Sequence, residues 1–189
     1  KKPAIRFKGY TEAWEQRKFN MVFDPIPNNT LTRADLNYDD GKIKSVHYGD
    51  ILIKYGAVTD CETDMIPFIT GAEVSDYRSL FLQDGDVLIA DAAEDETVGK
   101  ATEIAGIAGI PVVSGLHTIA CRPKVKMQQY YLGYFMNSPS YHRQLLPLMQ
   151  GIKVLSISRT NLAKTTVRYP ASSREQSQIG QLFVDLDRL

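Results

Sequence analysis

Several kinds of chemistry are missing from this 189-residue chain. Its two cysteines, Cys61 and Cys121, stand sixty positions apart, which gives neither a disulfide framework nor a metal cluster. The three histidines, His47, His117 and His142, are scattered, and a general base needs a partner within reach. No glycine-rich loop ends in Lys-Ser or Lys-Thr, and there is neither a Gly-x-Ser-x-Gly elbow nor a His-Glu-x-x-His pair. Those absences set aside simple NTPase, hydrolase and zincin readings. The longest apolar run, Ile104 to Val113, is broken by Gly106, Gly109 and Pro111 and is too short to cross a bilayer. No basic-apolar-small signal pattern opens the sequence, so a reducing cytoplasm is the expected compartment.

Net charge is also missing, since 22 basic residues balance 22 acidic ones. The balance conceals a division. Residues 24–103 hold 17 acidic and six basic side chains, whereas residues 104–174 hold nine Lys or Arg and no carboxylate. A stretch of 71 residues without Asp or Glu can neutralise phosphates without internal competition; the bland alternative is that acidic and basic segments pair in the fold.

Along the chain, "YTEAWEQRKF" (10–19) reads as a short helix capped by Thr11, with Trp14 as a packing anchor. Asp40-Gly41 has the dipeptide of a hairpin turn, and "KIKSVHY" after it alternates like a strand. "GDILI" (49–53) and "GDVLI" (85–89) are nearly the same pentapeptide, each read as a turn feeding a strand. Glycines and β-branched residues continue this β character to about residue 123. Residues 127–151 carry apolar residues at helical spacing on either side of Asn137-Ser138-Pro139, which predicts two short helices. "IKVLSISRTNLAKTTVRYP" returns to strand chemistry. The expected fold class is α+β, mostly β with short helices and a closing helix.

That closing helix begins at a Ser172-x-x-Glu175 capping box behind Pro170. Ile179, Leu182, Leu186 and Leu189 then form one apolar seam, and no stop signal follows Leu189, which suggests a fragment of a longer chain. The acidic cluster Asp91, Glu94, Asp95 and Glu96 with Lys100 is poorly spaced for Mg²⁺, as is Asp40-Gly41-Lys42. Both read better as solvated loops, although such carboxylates can accept hydrogen bonds from base amino groups in the major groove.

"SISRTNLAKTTVRYPASSREQSQIGQLFVDLDRL", "GDVLIADAAEDETVGKATEI" and "PAIRFKGYTEAWEQRKF" together resemble the specificity subunit of type I restriction-modification systems over nearly the whole chain. The resemblance implies a DNA target recognition domain over residues 1–170, twisted and mostly β, followed at 171–189 by the start of a conserved coiled-coil spacer helix. It implies a non-catalytic chain without a cofactor of its own. S-adenosylmethionine would sit on partner modification subunits, and a restriction subunit would translocate and cut double-stranded DNA. No Asn/Asp-Pro-Pro-Tyr/Phe methyltransferase motif occurs here, in keeping with that role. The spacer seam, Ile179, Leu182, Leu186 and Leu189, would meet an equivalent helix from a second recognition half or a homodimer partner.

Base readers are expected among polar side chains on loops held by a rigid sheet. The candidates are Lys54 and Tyr55 after "GDILI", Lys100 closing the acidic loop, Ser114 and His117 in "SGLHT", and Lys153, Ser156 and Arg159 after Gly151. Two other readings stand beside this one. One is a protein-interaction module acting through the closing helix; the other is a metal-dependent nuclease.

Overall fold

A computed structural model describes Pro3 and residues 5–189. Lys1, Lys2 and Ala4, which belong to the domain span and lead-in read from the sequence, lie outside the described residues. In chain order the first elements are β1 (Glu15–Lys18), α1 (Phe19–Val22), β2 (Phe23–Ile26), β3 (Leu36–Asn37), β4 (Lys44–Val46), α2 (Tyr48–Ile53), β5 (Val58–Asp60) and β6 (Phe68–Ile69). They are followed by α3 (Val74–Tyr77), β7 (Val87–Ala90), β8 (Ala92–Ala93), β9 (Ala101–Ala105), β10 (Val112–Ser114) and β11 (Thr118–Pro123). The last third holds α4 (Tyr131–Met136), α5 (Pro139–Leu145), β12 (Leu155–Ser156), α6 (Arg159–Leu162), β13 (Thr166–Tyr169) and α7 (Ser173–Asp187). The fold class is α+β, as expected.

The centre is a five-stranded sheet in the order β2-β11-β7-β9-β5. Strand β7 reads Val-Leu-Ile-Ala with every residue buried, because both faces of the sheet are covered and no position is left for a polar side chain. Val87 and Ile89 face a large core with Tyr131, Phe135, Tyr141 and Leu145, while Leu88 and Ala90 face a second core with Ile51, Tyr55 and Ile104. A four-stranded sheet, β10-β4-β6-β3, encloses a third cluster of Ile43, Ile69 and Val113.

Three local expectations are corrected here. The helix expected over 10–19 does not form: Glu15–Lys18 pair antiparallel with β13, from Glu15 opposite Tyr169 to Lys18 opposite Thr166, and helix begins only at Phe19, so tertiary pairing overrides helical propensity. Thr11 therefore caps nothing, and Trp14 turns its indole N–H to Glu175 at 3.2 Å. Asp40-Gly41 makes no hairpin, since β3 and β4 flank β6 instead of pairing with each other. Gly41 is needed for close approach, a Cβ there lying 2.6 Å from Phe68 Cβ. The twin pentapeptides also diverge. "GDVLI" gives strand β7, but "GDILI" lies in helix α2, whose first turn is capped by His47 Nδ1 accepting from Gly49 N at 3.1 Å. Asp50 is buried there, and Arg33 donates to it at 2.7 Å.

Two short helices do form around Asn137-Ser138-Pro139, with the Ser138 hydroxyl capping α5. Glu103 on β9 anchors the start of α4. Its carboxylate accepts from Tyr130 N at 2.7 Å and from Gly133 N at 2.9 Å. Burial pushes this carboxyl up to about 7 against the opposing pull of the backbone N–H groups.

The closing helix starts at Ser172, which accepts from Glu175 N. Glu175 does not complete the box. Its buried carboxylate takes two hydrogen bonds from Arg6, at 2.6 and 2.8 Å, and so ties the lead-in to the helix. Gln176 spans Gln128 N and Pro170 O, and Gly180 is pressed against Gln129 O and Tyr130. The first turns of α7 thus rest on the sheet-and-helix body, while Leu182, Leu186 and Leu189 are 43%, 50% and 102% exposed. Among the described residues no helix is long and apolar enough to cross a membrane.

Candidate nucleic-acid interface

Antiparallel pairing of β7 with β11 sets Ala90 opposite Thr118, so the loops after β7 and before β11 leave the sheet at the same end. Pairing of β8 with β12, Ala93 opposite Leu155 and Ala92 opposite Ser156, brings a third loop to that end. Asp91 joins all three. Its N–H donates to His117 O at 3.0 Å, its carbonyl accepts from Ile157 N at 2.9 Å, and its carboxylate lies 3.0 Å from His117 Nδ1.

His117 has φ 53, one of two positive-φ residues other than glycine among the described residues, and its side chain is half exposed. Such conformations persist where surrounding structure over-determines them. Here the fixing contacts are Asp91 and the edge-on ring of Tyr48, 5.2 Å away between centroids. Nδ1 is bonded to Asp91, and Nε2 has no hydrogen-bond partner among the described residues.

The third loop is a tight hairpin closed by Gln150 N to Ser156 O at 2.9 Å and Ser156 N to Gln150 O at 2.8 Å. Gly151 is required at its turn, with φ 120 and no room for a Cβ, which would lie 1.9 Å from Val154 O. The hairpin presents Ile152, fully exposed, with Lys153 and Val154 beside it. Across from it stands the end of α2, and between them lies a cleft of about 550 Å³ bordered by Tyr48, Ile53, Glu94, Asp95, His117 and Val154. Asp95 accepts from Thr97 N and Oγ1, which holds its carboxyl below the usual carboxylate range. Glu94 and Glu96 are exposed beside it.

The structure sorts the sequence candidates. His117, Lys153 and Ser156 converge on this end of the sheet and reach solvent. Lys54 is exposed but engaged, donating to Tyr38 Oη at 2.7 Å and lying 3.1 Å from Asp50 Oδ1. Four residues need correction. Tyr55 is 4% exposed and donates to Met65 O, so it packs in the core and burial raises its phenol. Ser114 is fully buried, its hydroxyl bonded to that of Thr118. Lys100 turns inward to Leu52 O at 3.0 Å, tethering the acidic loop to α2, and burial lowers its ammonium pKa. Arg159 spends its guanidinium on Ala120 O and Ile26 O, both at 3.0 Å. On the seam, Ile179 packs on the main core and Phe183, absent from that seam, stacks on Tyr134 at 5.2 Å.

Tyr48, Ile53 and Val154, and Arg33 and Tyr38 beside Lys54 at Asp50, are absent from the sequence candidates. The strand reading of "GDILI" is the cause for Ile53, which a six-residue helix turns outward to 80% exposure. Lys42 of the Asp-Gly-Lys triplet is paired with Glu73 at 2.6 Å.

The described residues thus form a small mixed domain with three loops gathered at one sheet end and a closing helix whose last turns are exposed. No family model and no curated protein sequence matches the chain. Solved structures do. The type I restriction-modification system S subunit from M. genitalium superimposes with TM-score 0.62 at 11% identity, over 96% of this chain and 41% of that one. A structure described as showing complex assembly and conformational transition of the type I R-M system gives TM-score 0.59 at 16% identity, over 96% of this chain and 40% of the other. The HsdS subunit from Thermoanaerobacter tengcongensis gives 0.54 at 16% identity, over 99% and 40%. The chain therefore has the fold of type I restriction-modification S subunits and spans about two fifths of their length.

Proposed function

We propose that this chain is one target recognition domain of a type I specificity subunit, with the start of its spacer helix, and that it reads double-stranded DNA for partner subunits. The observation that carries this reading is the meeting of segments 91–100, 114–117 and 150–156 at one end of the sheet, in a fold shared with S subunits. Lys153 and other cations of the carboxylate-free stretch contact phosphates, and the cleft beside them meets base edges. The chain performs no chemistry itself. Modification subunits carrying S-adenosylmethionine methylate the site it selects, and a restriction subunit cuts.

The test is titration of duplex DNA at several salt concentrations, with and without modification subunits. Lys153→Ala should weaken all sequences alike and flatten the log–log salt slope by about 0.9, one phosphate contact. An unchanged slope removes Lys153 from the interface. A second reading has support from the exposed Leu182, Leu186 and Leu189: an interaction module pairing through α7, in which case duplexes would bind no better with modification subunits than without.

A further inference from the structure

The cleft between α2 and the 150–156 hairpin has an uneven chemistry that the DNA-recognition reading alone does not explain. Ile53, the last residue of α2, is 80% exposed, and Val154 is 56% exposed. Single exposed aliphatic side chains are ordinary on protein surfaces. These two border one concavity whose wall also includes Ala92 and Ala93. Both alanines are nearly buried, being held by pairing with β12. The apolar wall is thus built on paired backbone. On the rim stand the exposed carboxylates of Glu94 and Asp95, and His117 with its Nε2 unbonded among the described residues.

From this juxtaposition we infer that the cleft seats the 5-methyl group of a thymine, and that Ile53 and Val154 are specificity-determining residues for an A·T pair read from the major groove. The inference rests on the proposed role in DNA recognition and names what this part of the interface selects. In the major groove a T·A pair presents a methyl group on one base and an N6 amino donor on the other. The cleft offers an apolar wall for the first and carboxylate acceptors for the second. A C·G pair also offers an amino donor, cytosine N4, to a carboxylate, but it has no methyl to fill the apolar wall, so the methyl contact is what separates the two pairs. Lys153, on the same hairpin as Val154, is placed to hold the adjoining phosphate.

The experiment selects a preferred duplex from a random-sequence pool with the full chain, alone and with its modification subunits. Each thymine of that duplex is then replaced singly by deoxyuridine, which removes only the methyl. At one or two positions the affinity should fall about fourfold, the effect of burying one methyl group. In Ile53→Ala and Val154→Ala, both exposed positions, that loss should disappear while sensitivity to the other bases remains. No deoxyuridine effect at any position overturns the inference, as does an effect that persists unchanged in both variants. If the variants instead lose affinity for modification subunits with an unaltered deoxyuridine profile, the cleft is a protein-docking face and the inference is overturned. A chain that enriches no sequence from the pool, with or without its partners, overturns the DNA reading as well.

Discussion

Replacing Glu103 by glutamine tests how the fold holds its helical layer against the sheet. The carboxyl is 1% exposed and accepts from Tyr130 N and Gly133 N at the first turn of α4, the helix on which Phe183 of α7 stacks. Its folded value, about 7, stands above the ordinary 4.5, so between those values the native state binds more protons than the unfolded chain. Stability from this group is therefore fully present below pH 4.5 and is lost as pH rises through 7. Each pKa unit corresponds to about 1.4 kcal/mol, which makes the full change on the order of 3 kcal/mol. Glu103→Gln removes the titration but turns an amide N–H₂ toward one backbone donor, so the variant is less stable than the parent at acid pH. Urea unfolding of both proteins from pH 4.5 to 8 should show the gap between them shrinking as pH rises. A constant gap, or one that widens with pH, refutes the argument, because it means the backbone N–H groups keep the carboxylate ionised throughout.

Other perturbations have defined outcomes. Arg122 clasps the buried Asp86 with bonds of 2.8 and 2.7 Å while about a third of its side chain is exposed. Arg122→Met should lower unfolding free energy by about 2 kcal/mol, less than for a fully buried pair, and an unchanged urea midpoint would show that solvent replaces the clasp. A Cβ at Gly133 would lie 2.0 Å from Ala57 O, so Gly133→Ala should destabilise despite a helix-propensity gain of up to about 1 kcal/mol, the steric cost being about 1–3 kcal/mol or more. A variant as stable as the parent would mean that α4 moves freely away from Ala57. Tyr55→Phe should cost about 1 kcal/mol through the lost bond to Met65 O and leave DNA sequence preference as it was. An altered preference would return Tyr55 to the interface.

The parts legible in the sequence were those governed by local rules. Ser138-Pro139 and Ser172 mark helix starts by capping, and the spacing around them fits the helices that follow. Strand β7 could be read from a short apolar run. Failures came where distant partners decide. Glu15–Lys18 is a strand only because β13 lies beside it, and Glu175 abandons its capping role because Arg6 and Trp14 reach it from the other end of the chain. "GDILI" and "GDVLI" differ by one residue; His47 and Arg33 commit the first to a helix around Asp50, whereas a turn at Gly85 and the Arg122 clasp on Asp86 commit the second to the sheet. The site was half legible for the same reason. Polar loop residues can be picked out of the sequence as a class, but the sequence does not show that the fold buries Tyr55 and Ser114 and engages Lys100 and Arg159 with backbone carbonyls. The apolar members, Ile53 and Val154, gave no signal, since an exposed aliphatic residue cannot be told from a buried one without the fold.

The central claim, that loops at one end of the five-stranded sheet choose a DNA sequence, is tested most directly by exchanging segment 91–100 for that of a relative. The exchanged chain is assembled with modification subunits, and the methylated sequence is read from the DNA product. Asp91 ties this segment to both neighbouring loops, so its backbone geometry must be kept in the exchange. The predicted result is methylation at a changed sequence by an otherwise intact complex. Methylation at the original sequence would contradict the account and leave the segment as scaffold.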